Sequence, residues 1–187
     1  MLRGWVPNLA AFNNGGIMAR FHFYHIHNKY IRFLQSGDSR VLYNKGQRRP
    51  YVGIVLKMNG TDYFVPLESP KGNHSNIKSG GPVLKLDDGK LGIMGFNNML
   101  PVPKVALIDF DFEDVEDEQY KLLLINQLDY CNDNRQIILN RAKTTYQKAT
   151  GNNNPFYQRV CCDFKKLERM CRSYNPNYKP RKKNSGK

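Results

Sequence analysis

No apolar run in this chain approaches the roughly 20 residues that cross a bilayer as a helix. The segments with helical periodicity carry no basic amphipathic stripe of the kind that lies on a membrane surface. Acidic side chains are scarce: 16 stand against 29 lysines and arginines, a formal net charge of +13 over 187 residues. Such an excess calls for a polyanionic partner, nucleic acid ahead of an anionic membrane. Cysteine is also sparse. Cys131, Cys161, Cys162 and Cys171 form neither a CxxC zinc half-site nor a disulfide framework, so the reading is reduced thiols in a reducing cytoplasm. No internal repeat, no long linker and no standard catalytic signature is present. The first 17 residues, MLRGWVPNLAAFNNGGI, lack an uninterrupted h-region and a clean small-residue cleavage site, and they read as a leader or flexible arm.

What is there is one domain's worth of patterned chain, from about residue 18 to 174. FHFYHI (Phe21 to Ile26) reads as a strand and NKYIRFL (Asn28 to Leu34) as a helix. YVGIVLKM (Tyr51 to Met58) and DYFVPL (Asp62 to Leu67) flank Asn59-Gly60, a strong hairpin signal. A second hairpin is expected from Val83 to Phe96 around Asp87-Asp88-Gly89, and a further strand from Lys104 to Phe110. Beyond Glu116 the period lengthens to 3.6, which predicts two helices to about Thr150 broken at Asn132 to Asn134, then one from Pro155 to Arg172. Residues 175 to 187 are basic, polar and expected to be disordered. Strands followed by helices predict an α+β domain, an antiparallel sheet or small barrel with packed helices.

The charge is unevenly distributed. Residues 109 to 118 hold seven acids and no base, whereas residues 1 to 108 hold 14 basic and 5 acidic side chains. The acidic run precedes a helix, where carboxylates favour the N-terminal dipole, and this reading is preferred to a metal site. In the basic half, Arg40, Lys45, Arg48 and Arg49 interleave with Tyr43 and Tyr51, and guanidinium groups beside aromatic faces suit single-stranded bases.

Phe64 to Gly72 reads FVPLESPKG, a strand that gives out into Glu-Ser-Pro-Lys. Together with NKYIRFL, YVGIVLKMNGTDYFVPL and His74 after SPK, it resembles the ToxN/AbiQ/CptN family of type III toxin–antitoxin endoribonucleases, over about residues 21 to 150. The resemblance implies a compact antiparallel sheet with helices, similar to Kid/MazF toxins. It also implies metal-free, cofactor-free cleavage of single-stranded, often adenine-rich RNA. The implied partners are a pseudoknotted RNA antitoxin made from tandem repeats, which the toxin processes, and a cellular or phage RNA substrate, in a setting of phage defence by abortive infection. Ser69 and Lys71 match the family's catalytic Ser-Pro-Lys. Arg49 stands where relatives have lysine, Tyr43 loosely matches an active-site tyrosine, and Lys29 and Tyr30 are supporting matches. Glu68 departs from the hydroxyl residue that some relatives carry before the serine.

The residue types fit that chemistry on independent grounds. Attack by the RNA's own 2′-OH needs an in-line geometry, cations at the non-bridging oxygens and a proton path to the leaving 5′-oxygen. Such a reaction leaves a 2′,3′-cyclic phosphate and a 5′-OH. Lys71 and Arg49 supply charge, Ser69 a hydrogen bond, and Pro70 a restrained loop. His74 is the nearest group that titrates near neutrality. His22, His25 and His27 offer a rival acid–base set, with His25 and His27 on one face of the strand end by alternation. Lys29, Arg40, Lys45, Arg48, Arg49 and Tyr51 are the candidate RNA contacts. The high positive charge also favours an inactive, closed assembly of toxins joined by RNA over a hydrophobic protein interface. Two other readings are a non-catalytic RNA-binding module and a metal-dependent nuclease using the acidic run.

Overall fold

The computed structural model describes residues 20–72, 76–77 and 80–177. Among these, seven strands make one antiparallel sheet: β1 His22–Ile26, β2 Tyr51–Met58, β3 Thr61–Glu68, β4 Val83–Lys85, β5 Ile93–Gly95, β6 Leu100–Pro101 and β7 Leu107–Asp109. The hydrogen-bonded order is β4-β5-β3-β2-β1-β7, with β6 beside β3. Helix α1 is Asn28–Gln35, and α2 (Glu118–Asp133), α3 (Arg135–Thr150), α4 (Pro155–Val160) and α5 (Phe164–Ser173) follow the last strand. The expected α+β class, with strands first and helices after, is what forms.

The β2–β3 hairpin is the spine. Asn59 and Gly60 both take positive φ, 53° and 74°, as a tight turn that matches strand twist requires. Opposed residues Tyr51↔Pro66, Val52↔Val65 and Gly53↔Phe64 set the register, which shifts between Gly53 and Leu56. Gly53 is required by packing: a Cβ there would sit 2.1 Å from the Phe64 ring. Phe64 also meets Tyr24 of β1 edge-on, with centroids 5.2 Å apart. Helix α1 buries Tyr30, Ile31 and Leu34, the three expected apolar positions, and the Tyr30 hydroxyl donates to the Pro101 carbonyl at 2.6 Å.

One polar node ties the helices to the hairpin. Glu168 of α5, 1% exposed, accepts from the hydroxyls of Tyr63 (2.9 Å) and Tyr146 (2.6 Å) and from the Asn59 amide (3.1 Å). Burial and the Glu168 charge push both tyrosines well above their ordinary pKa, so both remain donors.

Two elements differ from expectation. The expected helix from Pro155 to Arg172 is two helices. Cys161 and Cys162 turn into the core, the Cys162 amide donates to the Asn97 carbonyl at 2.9 Å, and the Asp163 amide donates to Asp38 at 2.6 Å. These long-range partners replace the intrahelical ones, and Asp163 restarts the helix by capping the Lys166 amide. The expected strand from Lys104 to Phe110 is a 3-10 turn at Lys104–Ala106 followed by only three paired residues. The acidic run serves as caps: Asp111 accepts from the Glu113 amide, and Asp117 from the Tyr120 amide at the start of α2. The leader lies outside the described residues, as does the tail from residue 178 onward.

Candidate active site

Glu68 is the last residue of β3, held between two neighbours. On one side Leu67 donates to the Pro50 carbonyl at 3.1 Å, and on the other Glu68 lies opposite Ile93 of β5. Continuing the β2–β3 register by two residues brings Arg49 across from Glu68. Ser69, Pro70 and Lys71 leave the sheet directly after this rung.

Arg49 is 6% exposed, yet its guanidinium is only partly satisfied. Nε donates to the Tyr43 carbonyl at 3.2 Å, while one terminal nitrogen is buried with no hydrogen-bond partner. A buried cation with an unmet donor costs stability unless something else is to fill it. Its backbone is held more firmly: the amide donates to the Asn44 carbonyl at 3.4 Å, and the carbonyl accepts from His25 Nδ1 at 3.2 Å. Because a carbonyl cannot donate, the proton sits on Nδ1 and the neutral ring keeps Nε2 as an acceptor. Burial holds the His25 pKa below the ordinary value, against the opposing pull of the Arg49 carbonyl and Asp114.

The loop before Arg49 is built on Asn44. This buried residue donates to the Ile26 carbonyl at 2.7 Å and to Asn28 at 2.9 Å, and its own side-chain oxygen receives the Tyr51 hydroxyl at 3.4 Å. Lys45, Gly46 and Gln47 then run consecutively through positive φ (50°, 67°, 73°), a conformation in which only glycine is at ease. That turn delivers Lys45 to the cation cluster. Its ammonium is held below the ordinary lysine range, first by partial burial, then by the charges of Arg49 and Lys71, with Arg48 adding and Glu68 opposing. Lys71 pairs with Glu68 at 2.8 Å. Lys45, Arg48, Arg49, Glu68 and Lys71, drawn from two chain segments, therefore share one electrostatic neighbourhood beside Ser69.

Other expected residues fall elsewhere. Tyr51 is 0% exposed, so no base can stack on its ring; as the first residue of a central strand it belongs to the core, and that expected RNA contact is corrected. Arg40 forks onto the buried Asp38 at 2.9 Å on both oxygens and reaches the Gln158 carbonyl at 3.1 Å, which places it at the α4–α5 junction. Lys29 donates to the Pro176 carbonyl at 2.6 Å. Tyr43, by contrast, is 70% exposed while its carbonyl anchors Arg49. His22 and His27 are exposed, and His27 has left β1 to start α1, so His25 and His27 form no strand-face pair. His74 lies outside the described residues.

Three contributors escape a reading of the sequence. Asn44 stands in a polar loop with no distinguishing motif. Tyr120 reads as one of α2's apolar positions, yet its half-buried phenol is raised in pKa by burial with Ser69 opposing that rise. Gly92, at φ +97°, lies against the Glu68–Ser69 peptide. Only Gly92 carries a usable signal, a glycine just before a strand.

The family model for toxin ToxN of type III toxin–antitoxin systems matches residues 22–172. The endoribonuclease ToxN of Bacillus thuringiensis subsp. kurstaki is 35% identical over 161 residues, 81% of this chain and 83% of the relative. The endoribonuclease AbiQ of Lactococcus lactis subsp. lactis is 32% identical over 164 residues, 82% of this chain and 88% of the relative. Among solved structures, a type III toxin selectively inhibited by a non-coding RNA pseudoknot superposes with a TM-score of 0.74 at 33% identity, over 83% of this chain and 98% of that one. AbiQ, a lactococcal anti-phage endoribonuclease, superposes with a TM-score of 0.72 at 28% identity, over 82% and 97%.

Proposed function

This chain belongs to the ToxN family of type III toxin–antitoxin endoribonucleases, and from that premise we propose that it cuts single-stranded RNA by attack of the RNA's own 2′-OH, at the cation cluster around Ser69. The observation that carries the proposal is the unmet donor of the buried Arg49, opposite Glu68 and beside Lys45 and Lys71. A scissile phosphate is an anion that would complete the guanidinium's bonding.

In this reading the 2′-oxygen bonds to phosphorus as the bond to the 5′-oxygen breaks. Charge accumulating on the non-bridging oxygens meets Arg49 and Lys71, and the Ser69 hydroxyl donates a hydrogen bond to one of them. Glu68 takes the proton from the 2′-OH. Lys45, whose ammonium is easier to deprotonate than an ordinary lysine, returns one to the 5′-oxygen. The exposed Tyr43 ring stacks on a flanking base. No metal takes part, and the products carry a 2′,3′-cyclic phosphate and a 5′-OH. The same surface accepts the repeat-derived, pseudoknotted RNA antitoxin, which joins several toxin copies in an inactive assembly. The relative described as anti-phage supports a role in phage defence.

Incubation of purified protein with a long adenine-rich RNA in EDTA, followed by analysis of the ends, tests this. Cleavage to 2′,3′-cyclic phosphate ends is expected, together with resistance of substrate bearing 2′-O-methyl at the cut site. Cleavage of the methylated substrate at the normal rate would overturn the mechanism. Intact RNA would return the chain to a purely RNA-binding role.

A further inference from the structure

Helix α5 divides its residues between two faces. Phe164, Leu167, Glu168 and Cys171 are buried, while Lys165, Lys166, Arg169 and Arg172 are exposed, and the 3.6-residue period sets these four cations on one outer face. The helix's own acid does not neutralise them: Glu168 lies 3.9 Å from Lys165 but is buried and already holds three donors. The chain from α5 onward runs antiparallel along α1. Met170 fills the space where Gly37, just past the end of α1, would carry a Cβ. Tyr174 packs on Tyr30 and Phe33, with ring centroids 4.7 and 5.3 Å apart, and the Pro176 carbonyl accepts from the Lys29 ammonium at 2.6 Å in α1's first turn. Lys29 and Phe33, four residues apart, thus mark the side of α1 that faces this segment, and Lys29 and Arg32 are exposed there. At the same end of α1, Asn28 donates its amide to Gln47 at 3.2 Å and accepts from Asn44 at 2.9 Å. The basic face of the two helices therefore ends at the loop that carries Lys45, Arg48 and Arg49.

We propose that the joined outer faces of α1 and α5 are a second RNA-binding surface, which holds the phosphate backbone of the substrate strand outside the cut site and leads it to the Ser69 cluster. This rests on the reading that the chain cuts single-stranded RNA at that cluster. Cations spaced along two helices match a polymer that repeats its negative charge, and each phosphate they neutralise releases counterions whatever the base sequence. The face offers little to other partners: none of the exposed large hydrophobic side chains belongs to α1 or α5, so neither a membrane nor an apolar protein surface finds a seat there. The surface extends from the cut site by at least the eight residues of α1, about 12 Å, which a trinucleotide centred on the scissile phosphate cannot span.

The test combines Lys166→Gln, Arg169→Gln and Arg172→Gln in one chain, which removes three exposed charges and keeps polar side chains in their place. Wild type and variant are compared in cleavage of a long single-stranded RNA and of a trinucleotide with the same cut site, in Kd for the long RNA in uncleavable 2′-O-methyl form across a salt series, and in Tm. The slope of log Kd against log salt is expected to become shallower by about 2, from three contacts at about 0.7 each, and KM for the long RNA to rise about 10-fold. Expected to stay unchanged are kcat, trinucleotide cleavage and Tm. A wild-type slope and KM in the variant would overturn the proposal. An equal rise in KM for the trinucleotide would also overturn it, since the three cations would then act at the cut site itself. So would loss of binding to phosphatidylserine vesicles beside unchanged RNA affinity, which would assign the face to a membrane. Failure of wild type to cut either RNA would instead overturn the reading of the Ser69 cluster, and the Kd slope would still decide the α1–α5 face.

Discussion

Two buried charges in this protein are treated in opposite ways. Glu168 lies under the helices with donors on both oxygens, from Tyr63, Tyr146 and Asn59. Arg49 lies just before the central strand β2 with one terminal nitrogen unmatched. Both are at most 6% exposed, so burial does not distinguish them; satisfaction does. A fully bonded buried charge fastens elements together, while a partly bonded one retains binding capacity at some expense of stability. The Glu168 node therefore reads as a fastening for α3, α5 and the hairpin, and the Arg49 cluster as the place where an external anion completes the fold's electrostatics.

The sharpest way to break this comparison is to remove each charge and ask what is lost. Glu168→Ala leaves two buried hydroxyls and an amide without their acceptor, and is expected to lower stability by about 3–5 kcal/mol in chemical denaturation while the folded fraction still cleaves RNA normally. Arg49→Met should do the reverse. Removal of a charge aimed at the transition state is expected to slow single-turnover cleavage about 10²- to 10³-fold, with a Tm at or above wild type. A large Tm drop in Arg49→Met with normal chemistry would make Arg49 a second fastening and erase the contrast. Tyr43→Ala comes next: loss of one stacked base is worth about 1–3 kcal/mol, to be read as a rise in KM with kcat and Tm unchanged. The smallest effect belongs to the exposed Lys71–Glu68 pair. A double-mutant cycle on stability should give a coupling of about 0.2–1 kcal/mol that fades in high salt, while Lys71→Ala alone is expected to impair cleavage.

The fold was legible wherever short-range rules govern. Asn59-Gly60 declared the hairpin because few residue pairs accept two successive positive φ values. The break between α2 and α3 fell where three polar residues interrupt the 3.6 period. Legibility failed at Cys162–Asp163, where amides leave the helix for Asn97 and Asp38, and no local pattern announces partners 65 and 125 residues away in sequence. The candidate site divides the same way. Ser69, Lys71 and Arg49 stood out by resemblance and charge. Tyr51 misled because its basic neighbours suggested an exposed position, although it opens a central strand whose first three residues are all buried.

By itself the amino-acid sequence determined the polyanion-seeking charge, the strands and turns of the hairpin, the helical periods and the Ser-Pro-Lys exit, because composition, backbone dihedral preference and side-chain periodicity act within a few residues. Only the tertiary structure decided which polar groups were satisfied. Asn59 and Tyr63 find Glu168 more than a hundred residues on, and Arg49 is left with a donor to spare. Whether a hydrogen bond is met depends on every group that packing brings within about 3 Å, and packing sums contacts over the whole chain.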